Sequence, residues 1–183
     1  MTLHLIFHET ASIFVEFSPL TSQDLLFLPL QPPGKPNTFS ATPAAEMNGS
    51  FSPDGRFVAY CSDESRPGEF EVFISSFPPS GSKWQVSSSG GYWPVWSEDG
   101  REIYFVSGTT LMATEVIPGA TFQFGPPHPL FTIRPAENFL GGAHADYSVY
   151  PGRQKFLLNQ LTSKGESPPI TVVANWTSEL KRK

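Results

Sequence analysis

Two acidic corners, Asp54 in the run FSPDGRFVAY and Asp99 in WSEDGREIYF, are the residues of this 183-residue chain that most resemble paired catalytic acids. Glycoside hydrolysis uses such a pair, one carboxyl group as acid and the other as nucleophile or base. Each of these Asp residues, however, precedes Gly in a Pro-Asp-Gly or Glu-Asp-Gly turn, where a short carboxylate bonds its own backbone. Both are therefore read as turn formers. The four histidines, His4, His8, His128 and His144, show no close metal-ligand spacing except His144 with Asp146, two apart and so on one face of a strand. A metal there would need ligands from elsewhere in the chain, and none is expected. The sequence has no Gly-x-Ser-x-Gly nucleophile elbow, Gly-rich phosphate loop, His-Arg-Asp loop or Asp-Phe-Gly motif. No catalytic residue and no cofactor are expected.

What must position these residues is an internal repeat. FSPDGRFVAY (Phe51 to Tyr60) and WSEDGREIYF (Trp96 to Phe105) match position for position and lie 45 residues apart. Each reads as a strand, a tight turn and a second strand. Ser at the second position can bond back to the backbone, Pro53 presets φ, and Gly55 or Gly100 takes the left-handed conformation that closes a three-residue hairpin. Further strand-like runs recur as DLLFLPL from Asp24, FEVFISSF from Phe70, LMATEV from Leu111 and ITVVANW from Ile170, three of them trailing a hairpin of this kind. A short strand then precedes the next hairpin in KPNTFS, KWQVS and HPLFTI. A degenerate hairpin, YSVYPGRQKFLLN from Tyr147, keeps Pro151 but loses the Asp-Gly corner, and FSPLTS at Phe17 to Ser22 is placed in a turn between strands.

Four antiparallel strands recurring at about 45 residues are the pattern of β-propeller blades, because each blade buries its two faces only against its neighbours. The expected fold is all-β: a partial β-propeller of about three and a half four-stranded antiparallel blades. Residues 1–43 supply the outer part of one blade, 44–89 and 90–134 two full blades, and 135–183 a last, incomplete one. Trp96, standing where Phe51 stands in the other copy, is read as core between blades.

Composition agrees: 19 Pro, 15 Gly and 14% aromatic residues describe short elements joined by tight turns. The net charge of -5, scattered in ones and twos, offers no basic stripe for a phosphate backbone, so no nucleic-acid partner is expected. The lone Cys61 cannot form an intrachain disulfide. Residues 1–17 carry His4, His8, Glu9 and Glu16 and no Lys or Arg, so they read as strands rather than a signal peptide, and no window is long and apolar enough for a membrane span.

The pattern resembles the TolB-like, WD-repeat-like β-propeller family over nearly the whole chain. GGYWPVWSEDGREIYF from Gly90, LMATEV, FGPPHPLF from Phe124 and PPITVVANW from Pro168 are similar to the C-terminal propeller of bacterial membrane-anchored serine/threonine kinases. The resemblance implies a sensor propeller in an extracytoplasmic setting, with any kinase outside this sequence, and a fuller ring than this chain supplies.

Binding is expected on the loops that lead into the innermost strands, since function in this architecture sits on loops held by rigid blades. The candidates are Glu46 and Asn48, Tyr92 and Trp93, and His144 and Asp146. An open arc exposes a blade face at each end, which a protein partner or a second copy of the chain should cover. The expected function is a non-catalytic protein-binding or sensing segment. The alternative is a substrate-gating or catalytic propeller domain of a hydrolase or lyase, which needs polar residues converging from several innermost strands.

Overall fold

The computed structural model of the chain describes residues 6–117, 122–133, 147–149 and 155–159. Strands β1 (Ile6–Phe7), β2 (Ala11–Ser18), β3 (Ser22–Pro29) and β4 (Asn37–Ser40) form a first antiparallel sheet in sequential order. Its innermost strand is only two residues long, so the first sheet has four strands rather than the outer part alone. The second sheet is β5 (Glu46–Phe51), β6 (Phe57–Ser62), β7 (Glu71–Ser76) and β8 (Lys83–Gln85), again in order. The third is built from β9 (Tyr92–Trp96), β10 (Glu102–Ser107), β11 (Thr110–Ile117), β12 (Gln123–Phe124) and β13 (His128–Thr132), the last two both pairing with β11. A hairpin of β14 (Tyr147–Val149) and β15 (Phe156–Leu158) begins a fourth. Among the described residues no helix is long and apolar enough to cross a membrane. The run ITVVANW lies outside the described residues.

The two-residue period of a strand sends successive side chains to opposite faces, so one strand feeds two cores. In the second sheet Tyr60 stands opposite Phe73, and both face the first sheet, where Ile13 and Leu25 meet them. Cys61 stands opposite Val72 on the other face, toward Trp96, Ile103 and Phe105 of the third sheet. The third sheet divides in the same way: Phe105 faces back, while Tyr104, Val106 and Leu111 face forward onto Tyr147. Three cores therefore lie between sheets stacked face to face. Each fully buried apolar side chain contributes about 1.5–3 kcal/mol relative to an exposed one.

The corners follow the residue chemistry, with one difference from the expected hairpin. Gly55 and Gly100 take φ of +68° and +67°. The Ser52 amide donates to Phe57 O at 2.9 Å, so the loop comprises four residues, 53–56, rather than three. The extra residue is accommodated because the Ser52 hydroxyl accepts from the Phe57 amide at 3.0 Å and Asp54 Oδ1 accepts from the Arg56 amide at 3.1 Å. Ser97 and Asp99 repeat both bonds, at 2.9 and 3.1 Å.

Candidate functional site

Antiparallel pairing brings the starts of β5 and β9 to the same rim as the β2–β3, β6–β7 and β10–β11 turns, with the Asp-Gly corners on the opposite rim. On this inlet rim Glu46 pairs across the sheet with Ser62, and Ser62 with Glu71, which makes a row of three buried polar side chains. Glu46 is fully buried, and its carboxylate accepts from the Thr42 hydroxyl. Burial pushes its pKa above the ordinary carboxylate value, against the Thr42 hydrogen bonds, and the nearby Asp24 and Glu64 carboxylates push it the same way. Glu71 accepts from the Ser87 hydroxyl and from the Gly90 amide at 3.0 Å. Ser87 Oγ accepts in turn from the Val72 amide at 2.8 Å.

Asp63 extends this bracing. Its Oδ1 accepts from the Ala45 amide and its Oδ2 from the Gly68 amide, both at 2.8 Å, so one carboxylate ties the loop before β5 to the β6–β7 loop. Asp63 and Glu71 were not among the sequence candidates. The readable signal was DESRPGEF, an acid opening a Pro-Gly turn, whereas burial of Glu71 has no local signature.

Asn48 and Trp93 occupy the same repeat position on neighbouring innermost strands, with positive φ of 55° and 50°. The pairing of each innermost strand with its neighbour shifts register at this level, between Met47 and Ser50 in one sheet and opposite Tyr104 and Val106 in the other. Asn48 is half-buried, and its Oδ1 has no hydrogen-bond partner among the described residues. Tyr92 and Trp93 belong to β9 rather than to the loop before it: Tyr92 pairs with Val106, and Trp93 lies in the register shift that follows. Trp93 is 4% exposed and packs in the third core, while Tyr92 is half-buried with its ring 5.5 Å from that of Phe70. Burial raises the Tyr92 pKa. His144 and Asp146 lie outside the described residues.

The two acids that first suggested chemistry are committed to their corners. Asp54 Oδ1 accepts from the Ser52 hydroxyl at 2.7 Å and its Oδ2 from Arg56 Nε at 2.7 Å. Partial burial opposes ionisation of Asp54, but the Ser52 and Arg56 hydrogen bonds outweigh it and hold the pKa below the ordinary value. Asp99 Oδ1 likewise accepts from the Ser97 hydroxyl at 2.8 Å. Among the described residues no group of three or more His, Cys, Asp or Glu side chains is placed to hold a metal ion.

No family model and no curated protein matches the chain. Similar solved structures include a TolB-designated protein from Agrobacterium tumefaciens, at 21% identity and a TM-score of 0.48, over 58% of this chain and 39% of that one. TolB from Acinetobacter baumannii is similar at 16% identity and 0.49, over 68% and 30%. The β-propeller domain of the Trilobed protease from Pyrococcus furiosus is similar at 10% identity and 0.41, over 70% and 57%. This chain thus spans 30% to 57% of those chains. Its own sheets, stacked through three shared cores, make it an all-β segment of successive β-propeller blades.

Proposed function

We propose that the chain is a non-catalytic, protein-binding segment of a larger β-propeller that engages its partner through the inlet rim. The observation that carries this reading is the Asp63 carboxylate, bonded to two loops at once. With Glu46 and Glu71 it serves as a brace, and it fixes the β6–β7 loop that carries the exposed Glu64, Arg66 and Glu69 and leads into Phe70, whose ring lies 5.5 Å from that of Tyr92. Loops ordered before binding lose less conformational entropy on association, which is what a recognition surface needs. The resemblance of GGYWPVWSEDGREIYF and its companions to kinase-linked propellers supports a sensory role within a longer receptor.

Photo-crosslinking from the full chain in its native cells tests this. A crosslinker at Glu69 is expected to capture one protein that a crosslinker at Ser80, on the opposite rim, does not. Equal labelling from both positions, or turnover of a substrate by the purified chain, overturns the proposal. Self-association covering a blade face is part of the same proposal. Light scattering that gives a monomer at micromolar concentration removes that part.

A further inference from the structure

Between the second and third sheets, on the corner rim, lies a cleft of about 220 Å³. Its floor is apolar: Phe57, Trp96, Val116 and Phe122, with the Phe57 and Phe122 rings 4.8 Å apart. Its lips are the two corners, close enough that a Cβ on Gly100 would stand 3.5 Å from Pro53 Cδ. Arg56 and Arg101 stand at equivalent places on these lips, but their situations differ. Arg56 donates through Nε to Asp54 and covers the Phe57 ring at 5.5 Å. The exposed Arg101 guanidinium has no hydrogen bond, ion pair or ring contact among the described residues, and only its backbone is engaged.

The Oδ1 atoms of Asp54 and Asp99 receive hydroxyl and amide donors of their own corners, and Asp54 Oδ2 receives Arg56 Nε. The Trp96 indole N–H is likewise spent, on Ser50 O at 3.1 Å. What is offered outward is an aromatic slot with the Arg101 guanidinium, uncommitted among the described residues, at its mouth. A guanidinium matches a carboxylate geometrically, through two parallel N–H donors. The volume is below the several hundred Å³ of pockets for drug-sized ligands, and suits a group the size of one amino-acid residue.

We propose that this cleft is a binding site for an apolar carboxylate of single-residue size, its aromatic or branched body on Phe57 and Phe122 and its carboxylate on Arg101. Two sources share this chemistry, a free small acid and the C-terminal residue of a polypeptide. The site is independent of the inlet rim, and its failure would leave the protein-binding reading untouched.

The test is titration of the full chain, followed by calorimetry, with N-acetyl-phenylalanine, its C-terminal amide, and an eight-residue peptide ending in Phe with a free carboxylate. The acid is expected to bind about tenfold more tightly than the amide, the size of one charge-assisted hydrogen bond pair. Arg101→Gln, an exposed change checked by an unaltered circular dichroism spectrum, is expected to abolish that difference and leave the amide unaffected. A peptide that binds more tightly than the single residue identifies a polypeptide terminus as the source, and equal binding identifies a free acid; both support the site. Acid and amide that bind alike, absence of binding by all three, or an acid preference that survives Arg101→Gln overturns it.

Discussion

The Trp96 indole Nε1 donates to the main-chain oxygen of Ser50 at 3.1 Å, so a side chain of one innermost strand is tied to the backbone of the strand before it. The next interface repeats the device with another residue: Tyr147 Oη donates to Trp93 O at 2.6 Å. Sheets that share only an apolar core could slide, because dispersion and burial are not directional, whereas a hydrogen bond fixes the offset. Trp96→Phe and Tyr147→Phe keep most of the apolar body and remove the donor that makes each tie. Each is expected to cost about 1–3 kcal/mol, read as a lower denaturation midpoint with an unchanged slope. A change below about 0.5 kcal/mol in both would show the ties to be incidental.

Glycines separate into those needed for φ and those needed for space. Gly91 has an ordinary φ, but a Cβ there would stand 2.6 Å from Ser87 Oγ and 2.8 Å from Val72 Cγ2. Gly91→Ala must displace the hydroxyl that serves Val72 N and Glu71, and is expected to destabilise by about 1–3 kcal/mol. Gly108, at φ +57° with nothing within 4 Å, pays only for conformation, so Gly108→Ala should cost about 1–2 kcal/mol. Gly100→Val, a β-branched residue at φ +67°, should exceed Gly108→Ala. Thermal melts of the three variants give the order.

Glu46 imposes a pH dependence of definite sign. Its pKa is raised in the folded chain by burial first, then by Asp24 and Glu64, so the native state binds more protons than the unfolded state once pH passes the ordinary carboxylate value of 4.5. Its stabilising contribution is complete below that value and is lost as pH rises through the folded pKa. Glu46→Gln cannot ionise, and its melting temperature should exceed that of the wild type at pH 7 and converge with it toward pH 4. A difference independent of pH would remove ionisation as the cause.

Cys61 is fully buried, and burial pushes its thiol far above the ordinary range despite a hydrogen bond from the Trp93 backbone. Thiolate is the reactive form, so the native chain should react with a disulfide reagent about a hundredfold or more slowly than the denatured chain. Comparable rates in native buffer and in denaturant would place the second core open to solvent.

Much of the architecture could be read directly from residues close together in the chain. The corner FSPDGRF names its own turn, because Ser52, Asp54 and Gly55 act on amides and dihedrals within five positions. Its loop is one residue longer than the corner residues alone predict, since whether Ser52 pairs with Phe57 depends on both strands being in place. At the candidate site, the sequence places Glu46 and Asn48 at the entry to an innermost strand but carries no sign of how deeply each side chain is buried. Glu46 is a buried brace rather than an offered acid, and Trp93, three residues before Trp96, packs into a different core from it.

By itself the sequence determined the repeat, the four-strand unit and the corner chemistry, all of which are set by interactions between near neighbours and by the alternation of a strand. Only the tertiary structure decided which carboxylates are buried, why Gly91 must lack a side chain, and that of the two corner arginines Arg56 pairs with its Asp while the Arg101 guanidinium has no partner among the described residues. Those outcomes depend on what the adjoining sheet places within a few ångströms, a distance that spans 45 residues of chain between Trp96 and its partner in the preceding sheet's inner strand and cannot be read along it.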